Sequence, residues 1–340
     1  MMARPVRCLF LNGHCSDSKS LWPARNGGPV NLMSVFTTLS LEEVRHWLAP
    51  FNVGELQSLR GIAAGITNTN YFVETSEARY VLTVFEKNDF DDLPYFVHLM
   101  THLSQHGVLC PRPVVDRNGV ALHRIHGKPA LMVSCLKGGD VSEPNLAQIE
   151  AVALTLARMH IAGLEFHEQS HNQRGQGWRV MTAQQVMPKL ASAQQALLQE
   201  ELEFQHGLNL SGLPHGVIHG DLFRDKVLFD GDSLGGFIDF YYACHDVLAY
   251  DVAIAVNEWC VDANGVFVDE KLAVFMNAYQ SVRAFTSAEK THWPALLRRA
   301  ALRFWLSRLY DFYYPVAGEL THAKDPAHFE HILLSRKALS

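Results

Sequence analysis

Two aspartates in the second half of the chain have the spacing of a phosphoryl-transfer site. Asp221 and Asp239 each end a short apolar run within VIHGDLFRDKVLFDGDSLGGFIDF, residues 217–240. A loop carboxylate can accept the proton of a hydroxyl group, and a carboxylate at a strand end can bind a hard cation such as Mg²⁺. The spacing is typical of sites in which the first aspartate is the catalytic base and the second binds magnesium. A turn followed by a buried strand end fits the same letters, so that alternative stays open.

The segment before these aspartates, residues 55–135, has the pattern of a small antiparallel sheet with one helix. β-forming residues alternate or cluster between turn signals in LQSLRGI, NYFVETS and YVLTVFE, which predicts a meander of strands. LPYFVHLMTHLSQHG has helical spacing and ends at Gly107, a residue type that favours helix C-termini. Strands resume after this helix, and Asn118-Gly119 is predicted to be a hairpin turn.

Helical patterns dominate the chain after the glycine-containing link 136–139, which we predict to be a hinge near residues 134–139. LAQIEAVALTLARMHIAG, VMPKLASAQQALLQEELEF and RRAALRFWLSRLYDFY have the apolar spacing of amphipathic helices. The exceptions are VIHG and GGFIDF, two strand-like runs that flank the loop of Asp221. The elements that position the two aspartates are therefore short strands within a helical region.

Regular patterning begins only near Met33. The preceding residues 1–32 are rich in Gly, Asn, Pro and Ser, and we predict that they form an unstructured extension. Ser40 and Glu43 then have the spacing of a capping box, which predicts a helix from there to about Phe51.

Composition excludes several classes of partner. The net charge of -6 and pI near 6.3 provide no basic field for nucleic acid or anionic lipid, so we expect neither partner. The six cysteines lie apart without a C-x-x-C pair, which indicates reduced thiols and a cytoplasmic protein. We expect no export signal or membrane span, because the apolar runs are too short. The sequence carries no signal of oligomeric state.

The chain resembles the aminoglycoside phosphotransferase and choline kinase superfamily in its H-G-D loop, His219 to Asp221. Within that superfamily it is similar to bacterial homoserine kinases, most distinctively in IDFYYACHDVLAYDVAIAVNEWC. The similarity extends over nearly everything from Met33 onward. It implies an α+β, two-lobed protein-kinase-like fold, with a nucleotide-binding sheet lobe at 33–135 and a larger, mostly helical lobe at 136–340.

The resemblance also implies an activity. A homoserine kinase transfers the γ-phosphoryl group of ATP to the hydroxyl of L-homoserine, with Mg²⁺ on the phosphates, and makes O-phospho-L-homoserine for threonine biosynthesis. Asp221 is then the catalytic base and Asp239 the main Mg²⁺ ligand. The residues implied to bind ATP are Gly61, Gly65, Asn68, Thr69 and Asn70 at the phosphates, and Ser134 and Leu136 at the adenine. Taken alone, the glycine-containing loop fits a hairpin connection equally well.

Two positions depart from the expected patterns. Thr83 lies where a protein kinase has its phosphate-binding lysine, and we expect the nearest cation, Lys87, to be solvated. Lys226 lies where the superfamily has a metal-binding asparagine, but an ammonium group has donors only and cannot bind a metal ion. We expect Lys226 either to contact phosphate directly or to weaken magnesium binding.

Several other polar residues have more than one reading. His160 is predicted to have a packing role, whereas Asp246 and Asp251 fit helix caps, supports of the Asp221 loop or ligands of a substrate amine. Four arginines on one helix pattern are expected to be solvated or salt-bridged, with one of them a candidate ligand of a substrate carboxylate. These are Arg298, Arg299, Arg303 and Arg308.

Two alternative functions remain at this stage. One is a kinase of the same architecture that acts on another small hydroxyl compound, such as an aminoglycoside or choline. The other is an ATP-binding pseudokinase without turnover, for which Lys226 is the only argument.

Overall fold

The computed structural model describes residues 36–62, 67–315 and 324–339. The predicted extension at residues 1–32 lies outside the described residues, and so does Gly65 of the predicted phosphate loop. The remaining predictions can be compared with the structure.

The first half of the described chain contains a five-stranded antiparallel sheet in the order β1-β2-β3-β5-β4. The strands are β1 (Leu56–Ile62), β2 (Thr69–Thr75), β3 (Arg79–Val84), β4 (Leu122–Ile125) and β5 (Lys128–Ser134). The first three form the predicted meander, because each pairs with the next along the chain. β5 pairs with β3 and with β4, which places β4 at the edge of the sheet.

Two helices accompany this sheet, and both begin and end near the predicted residues. α1 (Leu41–Leu48) starts with the predicted capping box: the Ser40 hydroxyl accepts from the Glu43 amide, and the Glu43 carboxylate accepts from the Ser40 amide. α2 (Pro94–Gln105) is followed by Gly107 at φ +77°, a left-handed conformation that favours glycine.

The hairpin turn of the second strand pair was predicted at the wrong place. Asn118-Gly119 does form a turn, in which the Gly119 amide donates to the Asp116 carbonyl, but it does not join two strands of the sheet. β4 and β5 are joined at His126-Gly127, where both residues have positive φ. Histidine rarely adopts this conformation, so the true turn lacked the Asn-Gly signal that guided the prediction.

The second half of the described chain is mostly helical, as predicted. Its helices are α3 (Leu146–Gly163), α4 (Gln176–Val186), α5 (Ser192–His206), α6 (Leu248–Trp259), α7 (Asp269–Val282), α8 (Ser287–Tyr313) and α9 (Pro326–Lys337). Its short strands pair as β6 (His215–Ile218) with β9 (Cys244–Val247) and β7 (Val227–Asp230) with β8 (Ser233–Phe237). Within the described ranges, no helix has the length and apolar character needed to cross a membrane.

The sheet contributes its two faces to two different hydrophobic cores. Ala130 and Met132 of β5 face a core that includes α1. The alternate residues of the same strand, Leu131 and Val133, face a larger core that includes α2, α3 and α6. Because the larger core runs across residues 135 and 136, the predicted boundary between the two lobes stays a prediction.

The predicted hinge packs closely against the β7–β8 hairpin. The Gly139 amide donates to the Phe229 carbonyl at 3.0 Å, and the Phe229 amide donates to the Gly139 carbonyl at 2.8 Å. A Cβ atom on Gly138 would lie 2.2 Å from the Phe229 carbonyl oxygen. At this position glycine therefore permits close backbone packing.

Candidate active site

Asp221 lies in the loop after β6, and its carboxylate contacts Arg303 of α8. Gly220 precedes it at φ +74°, and a Cβ atom there would lie 2.8 Å from the Tyr242 carbonyl oxygen. The Asp221 side chain is 15% exposed, and Nη1 of Arg303 on α8 donates to its Oδ1 at 3.3 Å. The carboxylate is thus nearly enclosed but partly accessible from one side.

The backbone of this loop is held by the fully buried carboxylate of Asp251 on α6. Its Oδ2 accepts from the His219 amide at 2.7 Å, and its Oδ1 accepts from the Gly220 amide at 2.9 Å. Burial raises the pKa of Asp251, but the hydrogen bonds from His160 and from the His219 amide outweigh burial and lower it. Of the roles predicted for Asp251, the structure shows support of the loop.

A buried chain of side chains supports Asp251 in turn. Nε2 of His160 lies 3.1 Å from the Asp251 carboxylate, and Nδ1 lies 2.6 Å from the Tyr279 hydroxyl. Burial lowers the pKa of His160 and so favours the neutral ring. We therefore assign Nε2 as the donor to Asp251 and Nδ1 as the acceptor from Tyr279. His160 was predicted to have a packing role. It is buried, and it also forms hydrogen bonds that the sequence did not indicate.

His219 connects the loop of Asp221 with the segment of Asp239. Its Nδ1 accepts from the Asp221 amide at 3.3 Å, and its Nε2 donates to the Ile238 carbonyl at 3.0 Å. The ring also packs on Phe240, with centroids 4.8 Å apart. One imidazole therefore fixes the loop against the residues on both sides of Asp239.

Asp239 follows β8 in a left-handed conformation, with φ +67° and ψ +57°. This conformation costs a non-glycine residue about 1 kcal/mol or more, so the surrounding contacts must impose it. One third of its side chain is exposed, and Nζ of Lys226 lies 2.7 Å from its Oδ2. Burial by itself lowers the pKa of Lys226, but the charges of Asp239 and Asp225 raise it on balance, so the ammonium stays charged.

The charges of these side chains act on one another. Burial raises the pKa of Asp221 above the ordinary aspartate value, while the positive charges of Arg303 and Lys226 oppose that rise. The negative charge of Asp239 adds to it. In the structure Asp221, Asp239 and Lys226 therefore lie close enough for their charges to shift the pKa of Asp221.

The side chains predicted at the phosphate loop are engaged within the sheet. Thr69 donates to Glu86 at 2.6 Å, and Asn68 accepts from the Glu86 amide at 3.3 Å. Asn70 accepts from the Thr83 hydroxyl at 2.8 Å. Gly61 lies within β1 opposite Tyr71. Asn68, Thr69 and Asn70 thus hold one end of the loop against β3 and against Glu86, which follows it.

Thr83 occupies the place where a protein kinase has a lysine, and it joins two parts of the site. Its hydroxyl donates to Asn70. Burial raises the pKa of Tyr241, two residues after Asp239, and a hydrogen bond with Thr83 partly opposes that rise. The ring of Tyr241 also packs edge-on against Phe85, with centroids 5.0 Å apart. Lys87, in contrast, has an exposed side chain, as expected.

The residues predicted at the adenine lie at the end of β5. The Ser134 amide donates to the Arg112 carbonyl, and the Ser134 hydroxyl accepts from the Arg112 amide, both at 2.9 Å. Leu136 lines an open cavity of about 300 Å³ between the link 135–137 and the β7–β8 hairpin. Leu136 thus lines a cavity, whereas the amide and the hydroxyl of Ser134 are hydrogen-bonded to Arg112.

Two of the helix arginines that were expected to be solvated or salt-bridged form ion pairs, and both are buried. Arg298 is buried and forms a two-point ion pair with Glu201, and Arg303 is buried against Asp221. Arg308 donates to the Asp325 carbonyl at 3.2 Å. The contact between Arg303 and Asp221 was missed, because nothing local in the sequence relates α8 to the H-G-D loop.

A divalent cation would find a sparse set of protein ligands here. Within the described ranges, no three His, Cys, Asp or Glu side chains are grouped to hold a metal ion. Asp239 has an accessible carboxylate, and the ammonium of Lys226 contacts one of its oxygens. Asp239 fits a metal that takes most of its ligands from phosphate and water, as Mg²⁺ commonly does.

Comparisons with known proteins show what this chain is similar to in sequence and in fold. The model of the phosphotransferase enzyme family matches residues 58–285. The homoserine kinase of Methylobacillus flagellatus is 54% identical over 301 residues, which cover 88% of this chain and 94% of that protein. The homoserine kinase of Methylobacillus glycogenes is 50% identical, covering 91% and 96%. A choline kinase structure from Cryptosporidium parvum superposes with a TM-score of 0.60 at 15% identity, covering 84% of this chain and 94% of that one. The predicted kinase-like α+β fold is confirmed.

Proposed function

We propose the reaction of this chain from the family to which it belongs, the phosphotransferase enzyme family and, within it, the homoserine kinases. The chain is a phosphotransferase with an alcohol acceptor, and its acceptor is the hydroxyl of L-homoserine. The donor is ATP, and the products are O-phospho-L-homoserine, an intermediate of threonine biosynthesis, and ADP. The observation that carries this conclusion is the identity of 54% over nearly the whole of a homoserine kinase.

Asp221 is the residue that we assign as the base. Its carboxylate accepts the hydroxyl proton of homoserine as the oxygen attacks the γ-phosphorus, and the oxygen bridging to ADP leaves with the bond's electrons. The loop is held at its backbone by Asp251, so the carboxylate is in place before the acceptor binds. Such positioning is a large part of catalysis in phosphoryl transfer, where the protein does little covalent work.

Asp239 is the residue that we assign as the ligand of Mg²⁺. A magnesium ion on the nucleotide neutralises the negative charge that the phosphates carry in the transition state. Lys226 contacts Oδ2 of Asp239, and the Asp239 side chain is one third exposed, so Oδ1 would be the oxygen offered to the metal. Phosphate oxygens and water would supply the other ligands.

Lys226 supplies a second positive charge at the same place. Its ammonium already neutralises one oxygen of Asp239, and its donors can also reach a phosphate oxygen. This contact supports both versions of the prediction for Lys226: a fixed cation that contacts phosphate, or a competitor that weakens metal binding. The two versions differ in the magnesium requirement that they predict.

The nucleotide lies between the sheet and the helical part of the chain in this proposal. Backbone groups of residues 61–62 and 67–70 cover its phosphates, and backbone groups of residues 134–136 meet the adenine. The engaged side chains of Thr69 and Asn70 support a backbone-only role for this loop. The corresponding lobes are residues 33–135 and 136–340.

One observation favours a second function. The ion pair between Lys226 and Asp239 occupies the carboxylate that a catalytic magnesium requires. A nucleotide-binding pseudokinase without turnover would tolerate such a pair. We favour the enzyme, because hydrogen bonds from the side chains of Asp251 and His219 hold the backbone of the loop that positions Asp221.

A coupled assay of ADP release separates these functions. We expect ADP release that depends on L-homoserine, with a kcat/KM at least about tenfold above those for L-serine and L-threonine, because both the reach and the shape of the acceptor change. Choline serves as the cationic comparison. Tight ATP binding without acceptor-dependent ADP release at any magnesium concentration would establish the pseudokinase, and faster turnover of choline would establish a cationic acceptor.

A further inference from the structure

Two guanidinium groups flank a small cavity beside Asp221. The cavity is lined by the loop 170–174 before α4, and by Gly220, Tyr242 and Arg303. Cζ of Arg303 lies 5.3 Å from the centroid of the Tyr242 ring, and Cζ of Arg174 lies 5.6 Å from the same centroid. The cavity therefore has two positively charged groups close to one aromatic ring.

Arg303 is buried, yet it has few partners within the protein. Its side chain is 5% exposed, and its hydrogen-bond partner among the described residues is Asp221, at 3.3 Å. The guanidinium also packs on Phe304, with Cζ 3.7 Å from the ring centroid. A guanidinium has five N–H donors, so most of those on Arg303 are left for a ligand in the cavity.

Four arginines lie at or near the cavity, against two acids, Asp221 and Asp246. Arg299 lies against Tyr250 of the cavity wall, with Cζ 5.2 Å from the ring centroid. Burial and the charge of Arg299 together lower the pKa of the buried Arg179 to about 10. The nearby acid Asp246 already accepts from Asn172 at 2.6 Å and from the Val247 amide. An anion entering this cavity would relieve repulsion among like charges.

We propose that Arg303 binds the carboxylate of the acceptor in this cavity, with Arg174 as a second cation at its mouth. This proposal rests on the function proposed above and adds the group that selects the substrate. Arginine suits the role, because its planar donors match the two oxygens of a carboxylate.

The position of Arg303 also suits the length of homoserine. The same guanidinium contacts Asp221, so a carboxylate bound to its free edge lies next to the base. The three carbons after the carboxyl group can then bring the hydroxyl back to Asp221. Serine has one carbon fewer, so its hydroxyl falls short when its carboxylate is held at the same place.

The cavity also explains which related acceptors are excluded. An aminoglycoside or choline carries positive charge and no carboxylate, so Arg303 and Arg174 would repel it. L-Homoserine carries a carboxylate beside its ammonium group, so the two guanidinium groups attract one end of the molecule. Specificity therefore comes from attraction to one class of acceptor and repulsion of the other.

The test compares L-homoserine with 3-aminopropan-1-ol, which is homoserine without its carboxylate. We would measure kcat/KM for both acceptors in the native protein, Arg303→Gln and Arg303→Lys. We expect Arg303→Gln to lower kcat/KM for L-homoserine by about 100-fold, because a buried charged hydrogen bond is lost. For 3-aminopropan-1-ol we expect kcat/KM to stay within about tenfold of the native value, because the lost contact with Asp221 is offset by removal of a charge that repels this cation. Arg303→Lys keeps the charge and gives an intermediate loss.

Arg308→Gln is the matched control, because it removes a guanidinium from the same helix that donates to a backbone carbonyl away from the cavity. We expect it to leave the ratio between the two acceptors unchanged. Thermal unfolding of each variant shows whether the fold persists.

Direct binding distinguishes failure of this proposal from failure of the proposed function. Titration calorimetry of L-homoserine and 3-aminopropan-1-ol, with the native protein and Arg303→Lys, reports carboxylate recognition without turnover. Equal losses for both acceptors, in rate and in binding, would overturn the role of Arg303 and leave the kinase reaction intact. Binding of L-homoserine that depends on Arg303, without ADP release, would support this proposal and overturn the reaction.

Discussion

The loop of Asp221 is held through its backbone by a carboxylate that solvent does not reach, whereas Asp239 follows β8 with one third of its side chain exposed and a lysine as its partner. The first arrangement restricts where the side chain can be. The second leaves the side chain able to adjust to what it binds. A base must lie within hydrogen-bond reach of the acceptor, while a metal ligand can move with the nucleotide. The difference in support thus matches the difference in proposed role.

The two regions are nevertheless connected. His219 contacts the Asp221 amide through one ring nitrogen and the Ile238 carbonyl through the other. A displacement of the Asp221 loop would therefore also move the segment of Asp239, because the rigid ring of His219 is hydrogen-bonded to both. Substitutions can separate the effect of losing each carboxylate from the effect of losing its support.

The largest effect should follow Asp221→Asn. Asparagine keeps the size of the side chain but cannot take the hydroxyl proton, so we expect kcat to fall by about 10³-fold or more. ATP affinity should change little, because Asp239 and the nucleotide loop are untouched. ADP release and ATP titration calorimetry measure the two quantities. A kcat within tenfold of the native value would remove Asp221 from the role of base.

The next effect should follow Asp251→Asn, which weakens the support and leaves the base in place. Asparagine has a single oxygen for two loop amides and His160, so a buried donor loses its partner. We expect kcat to fall by about 100-fold and the free energy of unfolding to fall by about 3 kcal/mol. Urea unfolding and ADP release measure the two changes.

Asp262→Asn is a chemically matched control for that variant. Asp262 also accepts from two backbone amides, of Asn264 and Val266, but in a turn outside the site. It should leave kcat unchanged. If Asp251→Asn destabilised the protein without lowering kcat, support of the loop would be unnecessary for turnover.

Features with a local cause were predictable from the sequence. The capping box of Ser40, the end of α2 before Gly107 and the meander of β1 to β3 depend on residues close together in the chain, so their signals are readable in a short window. The positions of Asp221 and Asp239 after short strands were predicted in the same way. The turn at His126-Gly127 was missed, because histidine carries no turn signal there.

Contacts between distant parts of the chain were not predictable in this way. Arg303 meets Asp221 from 82 residues further along, and the four helix arginines look alike in the sequence. Their different fates depend on which face of α8 packs toward the loop. That face is set by tertiary packing, because apolar residues lie near all four arginines in the sequence and mark no single face.

The metal side of the comparison can be sharpened with Lys226→Asn. The substitution removes the ammonium from Asp239 and supplies an amide oxygen. The Asp239 carboxylate and this amide oxygen can then both bind the metal. If Lys226 competes with the metal, the magnesium concentration for half-maximal ADP release should fall by about three- to tenfold. If Lys226 contacts phosphate directly, this concentration should rise. Equal magnesium dependence in both proteins would reject both versions.

The same variant has a predicted effect on pH dependence. The charge of Lys226 lowers the pKa of Asp221, so its removal raises that pKa further above the ordinary aspartate value. A protonated Asp221 cannot accept a proton, and activity is lost as pH falls through its pKa. The acidic limb of kcat/KM should therefore move to higher pH in Lys226→Asn. Lys290→Asn, with the same change of net charge on the exposed start of α8, should leave that limb in place.

The smallest effect should follow Tyr279→Phe, at the far end of the chain of buried side chains beneath Asp221. The hydroxyl donates to Nδ1 of His160 at 2.6 Å and accepts from Arg283 at 3.2 Å, so its loss leaves two buried groups with one partner fewer. Arg283 keeps Glu289, and His160 can still donate from Nε2 to Asp251. We therefore expect the free energy of unfolding to fall by about 1–2 kcal/mol and kcat by less than about threefold.

Tyr313→Phe is the surface counterpart, because its hydroxyl donates to the Lys189 carbonyl at an exposed position. Its cost in urea unfolding should stay below about 0.5 kcal/mol. A loss of kcat in Tyr279→Phe as large as in Asp251→Asn would show that the loop depends on the whole chain of contacts. The rigidity of the Asp221 loop would then arise from the packing of α3 on α7, since these helices carry His160 and Tyr279.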